Sequence, residues 1–304
     1  MQGSLWTKRA LALTEAALWT CWTLLAQVVV LVLFLGILML LVFGLQWPDT
    51  ETLQLVVLES DLDRSFLLLG VTSLGALFLI VPSVRLRMGE RTRELLGTNL
   101  PTREQVVFAL ATVTPVAIVS DLVYEMAQRQ WLSLTAGSLE HPLAFTTLSE
   151  LHQRFDGVPY PILIVAMALG PAIGEELVFR GFIGRRLIET WGMLPGVLLT
   201  SLFFAIAHVS PAHAVGTLPI ALLLHWLYLQ TRTLWIPILV HFCNNLLAIT
   251  LVRYRLVEDI QLPLPAIIAL LVYLAVILGL LHVRQRSSRI NWGPLGEQHA
   301  GSLA

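Results

Sequence analysis

Stretches free of Asp, Glu, Lys and Arg divide the chain. They are Ala16–Pro48 (33 residues), Ser65–Val84 (20), Gln105–Ser120 (16), Gly157–Gly174 (18), Thr190–Thr231 (42), Thr233–Val252 (20) and Ile260–Val283 (24). A helix needs about 20 apolar residues to cross the hydrocarbon core. The 42-residue run has length for two crossings, and its turn-rich segment Ser210–Pro219 divides it. The pattern predicts an all-α polytopic membrane protein with about eight transmembrane helices. Three regions fall outside the spans. Met88–Glu104 is Arg-rich and reads as an interfacial segment. Ala127–Asp156, with Trp131, His141 and His152, reads as an outer loop, and Ser287–Ala304 as a flexible polar tail.

Composition narrows the class. Apolar residues make up 56% and charged residues 13%, and mean hydropathy is +0.77. Soluble domains carry about 25% charge, so a soluble globular chain and a disordered one are both excluded. The net charge of −1 provides no polycationic surface, which argues against nucleic acid as a partner. Cys21 and Cys243 both lie in apolar stretches and cannot form a four-cysteine metal site. Lys8-Arg9 precedes the first run, but that run is too long for a signal-peptide core, so it is expected to be a retained span. With an inside N-terminus, 14 of the 19 basic residues fall on inner loops. That asymmetry predicts both termini in the cytoplasm, and short loops fit a bacterial-type plasma membrane.

Polar residues inside spans cost roughly 2.5–3.5 kcal/mol each when charged, so they need a reason. Most lie in the C-terminal half. Glu175-Glu176 and Arg180 close the fourth span. Glu176 and Arg180 are four residues apart, the favourable order for a helical ion pair. Glu175 points about 100° away and is left without a partner on its own helix, as a general base would be. Pro171 removes one helical hydrogen bond and loosens the turn at Met167, so water could reach Glu175. In the fifth span Phe204 and His208 share a face. In the seventh, His241 and Asn245 do, with Asn244 one position off it and expected to pack. Singly, each motif is equally a structural device: an interfacial charge cluster, a hydrogen-bonded histidine, a polar helix–helix contact. Together, a carboxylate, two imidazoles and a carboxamide are what hydrolysis requires: a base for water, a proton relay and oxyanion donors.

Glu-Glu-x-x-x-Arg, Phe-x-x-x-His and His-x-x-x-Asn, in this order within a polytopic apolar chain, resemble the CPBP family of CAAX proteases and bacteriocin-processing enzymes, also called the Abi family. The resemblance covers about residues 155–250. It divides the chain into N-terminal helices and loops (1–150), a catalytic core (155–250) and a last helix with its tail (251–304). It implies a metal-free, glutamate-dependent intramembrane endopeptidase acting on a membrane-associated or lipidated protein or peptide. Glu175 matches the water-activating glutamate, and His208 the histidine that assists it. His241 and Asn245 match the pair that stabilises the oxyanion. Glu176 and Arg180, with Phe204, would support the site. The family also includes proposed non-proteolytic scaffolds and immunity proteins, which is the alternative for this chain.

Two further readings use the same polar residues. Glu175, His208 and His241 could ligate zinc with an open position, although the usual His-Glu-x-x-His spacing is absent. His225 and Asp121 could belong to a transport path, although no inverted repeat accompanies them. Both are also explained as a packed histidine and an interfacial carboxylate. Cys243 lies off the His241–Asn245 face and reads as packing. One tension concerns depth. Counted along straight helices, Glu175, His241 and His208 lie roughly 8, 13 and 20 Å from the cytoplasmic ends of their spans. They converge only if the fifth helix starts below the membrane or tilts steeply.

Overall fold

The computed structural model describes residues 5–44, 49, 75, 77–89, 100–135, 155, 158–256 and 262–287. Among these residues every regular element is helical. In chain order the helices are α1 (Leu5–Phe43), α2 (77–88), α3 (Arg103–Ala111), α4 (Val113–Thr135), α5 (Tyr160–Trp191), α6 (Met193–Ile206), α7 (Pro211–Gly216), α8 (Leu218–Thr231), α9 (Trp235–Arg253) and α10 (Leu264–Ser287). Six stretches among the described residues are long and apolar enough to cross a membrane, against the eight expected. Two expected spans make the difference. Ser65–Val84 lies largely outside the described residues. The fifth is the 14-residue α6, about 21 Å long at 1.5 Å per residue, short of a roughly 30 Å core. The chain is an integral membrane protein.

Two boundaries differ from the sequence reading. The helix expected to end near Ser120 continues as α4 to Thr135, taking in the start of the expected loop. Its polar end carries an exposed Arg129–Glu125 pair at 3.1 Å, four residues apart, which supports a helix beyond the apolar stretch. The rest of that loop, with His141 and His152, lies outside the described residues, as do most of Met88–Glu104 and the tail beyond Ser287. The fourth span does not close at Arg180 but runs to Trp191. Leu177 to Gly184 are all buried, so this charged stretch lies inside the bundle rather than at its edge.

The core is built around α5. Leu177, Val178, Phe179, Phe182, Ile183, Leu187, Phe204, Ala221 and Leu234 pack with Ala12, Ala16 and Ala26 of α1. Small residues let α1 approach closely, the usual solution where lipid removes the hydrophobic drive for helix association. The other side of α1 presents Leu11, Leu18, Leu25, Val28 and Val32 outward. α1 runs antiparallel to α5 and is latched at one end. Arg9 donates to Thr190 O at 3.3 Å, Glu15 receives Arg87 and Arg186 at 2.8 and 3.3 Å, and Trp19 meets Phe182 with ring centroids 4.6 Å apart.

Candidate active site

α5 is wound irregularly where the site lies. Ile164–Leu169 and Leu177–Gly184 take π-helical turns around the α-helical Gly170–Glu176. Pro171 has no N–H to give to Met167, four residues back. Asn245 of α9 fills the gap, donating from Nδ2 to Met167 O at 3.1 Å. The loosened turn expected from Pro171 is therefore the point where α9 is fastened to α5. Asn244, expected only to pack, donates to Asn245 Oδ1 at 3.3 Å and orients it.

The two adjacent glutamates have different surroundings. Glu176 and Arg180 are both completely buried. Arg180 Nη1 donates to Glu176 Oε1 at 2.6 Å. His241 Nδ1 meets the same oxygen at 2.9 Å. A carboxylate oxygen accepts, so this nitrogen carries the proton, and Nε2 stays free for other chemistry. Arg180 also donates to Ala221 O at 3.0 Å and lies over the Phe204 ring at 4.4 Å. One buried ion pair thus ties α5 to α6, α8 and α9. Glu176 joins His241 across 65 residues, a contact that helical spacing does not reveal.

Glu175 makes no hydrogen bond among the described residues, and its Oε2 is buried. It lies within electrostatic range of His241, Glu176, Arg180 and His213. It also lines a small cavity with Thr23, Gln27, Leu77, Ile80, Gly170, Pro171 and Gly174. The cavity offers about 20 Å³ to the centre of a water molecule, where one water needs roughly 10–15 Å³.

His208 sits two residues past the end of α6, in a turn, rather than within a span. Its N–H bonds Ala205 O at 3.0 Å, and Ser210 N–H bonds His208 O at 2.6 Å. Val209 takes φ +62°, a costly conformation for a β-branched residue, of the kind that clusters at functional sites. The helix ends before His208, which lies just past its tip. Its Nδ1 pairs with Phe204 O at 2.9 Å. Its ring centroid is 5.0 Å from that of Phe204, which in turn is 5.9 Å from that of His241. Phe204 therefore fills the space between the two histidines.

The reversal also presents a residue the sequence reading missed. His213, in α7, stands edge-on to His208 with centroids 4.8 Å apart and faces Tyr124 at 6.2 Å. It is exposed. α7 is held against α4 at Gly216, where a Cβ would come within 2.7 Å of Tyr124 Cβ and 3.0 Å of its Cα. The only sequence signal was a second imidazole five residues after His208, inside a segment read as a turn.

The remaining polar residues stand apart. His225 is fully buried against Gly184, where a Cβ would meet its Cε1 at 2.6 Å. Asp121 is exposed on α4 beside Glu125. Cys243 packs with the cluster of α3, α4, α8, α9 and α10. Among the described residues, no three of His, Cys, Asp and Glu are arranged to hold a metal ion.

Among the described residues, the buried Glu176–Arg180 pair and the polar groups around it lie inside a bundle of apolar helices. Residues 157–247 match the family model described as type II CAAX prenyl endopeptidase Rce1-like. A Bacillus subtilis (strain 168) protein named "Putative membrane peptidase YdiL" is 28% identical over 85 residues, which is 28% of this chain and 35% of that relative. The aligned stretch thus spans about a third of the relative's length. No solved structure matches the chain. Residues 157–247 are thus similar to type II CAAX prenyl endopeptidases, over less than half of the chain.

Proposed function

We propose that the protein is an intramembrane endopeptidase that hydrolyses a peptide bond of a membrane-associated or lipidated protein or peptide. The observation that carries this reading is the contrast between the two glutamates: Glu176 is held through Oε1 by Arg180 and His241, although its Oε2 is buried without a hydrogen bond among the described residues, while Glu175 makes no hydrogen bond among the described residues and borders a water-sized cavity. In the proposed reaction Glu175 takes a proton from water as its oxygen attacks the scissile carbonyl carbon. The C–N bond then breaks, and the proton passes to the leaving amine. No covalent enzyme intermediate forms. A protonated His241, held through Nδ1, has Nε2–H left to donate to the oxyanion. The second Asn245 amide hydrogen is the other donor, and such donors are worth about 10²–10³ in rate each. His208 and His213 form the imidazole pair beside the reacting groups, a proton relay worth about 10²–10⁴.

The test is a comparison of peptide termini in membranes holding wild-type protein or Glu175→Ala at matched levels. Termini present only with the wild type are expected. Identical termini, with any cellular effect retained by the variant, would instead indicate a scaffold or immunity role. The reaction is metal-free, so cleavage is expected to survive chelators. Loss reversed by added zinc would contradict that.

A further inference from the structure

α1 lies outside the segment that matches the family model, yet it reaches the cavity at Glu175. The latch along α1 and α5 explains how. Arg9 lies beside Thr190, Glu15 beside Arg186 and Trp19 beside Phe182, the two numbers stepping in opposite directions. Continued two turns, the register brings Gln27 level with Gly174, and both residues line the cavity. Thr23 and Gln27 are four residues apart and share a face. α2 closes the cavity with Leu77 and Ile80. Leu77 Cδ2 approaches so near that a Cβ on Gly174 would lie 3.1 Å away.

Gln27 is the only amide side chain between Ala16 and Phe43. An unbonded amide in an apolar setting costs free energy, and Gln27 forms no hydrogen bond among the described residues. Thr23 Oγ1 donates to Trp19 O at 2.8 Å, which leaves its oxygen able to accept. We propose that Gln27, with Thr23 beside it, forms a subsite that binds one peptide unit of the substrate backbone next to the bond Glu175 acts on. A carboxamide donates to a carbonyl and accepts from an N–H at once, which matches an extended peptide and does not match a hydrocarbon chain. The N-terminal helices thereby supply a substrate-binding residue to the core. This rests on the endopeptidase reading.

The test uses full-length protein and a synthetic peptide spanning a cleavage site identified from wild-type-dependent termini. Gln27→Leu is expected to raise KM about tenfold, the effect of losing a neutral hydrogen bond, with little change in kcat. Val28→Leu, on the outward face of α1, should change neither. Wild-type KM in Gln27→Leu would overturn the subsite and leave the reaction standing. Absence of any wild-type-dependent termini would overturn the reaction and the subsite with it. A second readout needs no turnover. In protein with Cys21 and Cys243 replaced by Ala, Gln27→Cys should react with methanethiosulfonate ethylammonium and Val28→Cys should not, because only a hydrated thiol ionises to react. An unreactive thiol at position 27 would overturn the subsite.

Discussion

Neighbouring glutamates on one helix have different surroundings because a 100° step turns them apart. Glu176 faces inward to Arg180 and His241, and all three are nearly or completely buried. Removing one partner of a buried pair leaves an uncompensated charge and costs about 3–5 kcal/mol. Glu176→Ala is therefore expected to lower stability by that amount, measured as unfolding of the purified protein in detergent. A wild-type unfolding curve would show that the pair does not hold the bundle. The Glu176–Arg180 pair was legible in the sequence because both residues lie on one helix at a spacing with a known geometry. The His241 contact was not, because it joins two helices and depends on their packing. His213 was hidden for another reason: its neighbour is set by the left-handed turn at Val209, and no residue pattern there announces a reversal.

Irregular backbone at the scale of the helix does the positioning. Pro171 frees Met167 O, and Asn245 accepts the task of satisfying it. Pro171→Ala restores the missing N–H and lets Met167 O bond within α5. The variant is expected to unfold at the same temperature as the wild type or higher, and to lose at least about tenfold in cleavage, since small displacements of reacting groups are costly. Full activity in that variant would show that the Asn245 contact is dispensable. The sequence located this weak turn from one proline. It overestimated α6, because apolar runs report where charge is absent and not where the helix stops. The same logic cut α5 short at Arg180: a charge buried against a partner resembles a charge at an interface until the partner is known.

For the whole molecule, the sequence established the class. Charge-free runs of helical length leave few options in a chain this apolar. The number of crossings was less legible, since one expected span is the short α6 and another lies largely outside the described residues. The arginine asymmetry still predicts cytoplasmic termini. A C-terminal green fluorescent protein fusion should therefore fluoresce, and an alkaline phosphatase fusion at the same point should be inactive; the opposite pattern would reverse the orientation. The central claim is that Glu175 performs chemistry while Glu176 holds the fold. Its most direct test is cleavage by Glu175→Gln protein in membranes, at the wild-type level and with a wild-type unfolding temperature. The account predicts loss of the wild-type-specific peptide termini from a fully folded variant. Undiminished cleavage by that variant would contradict it.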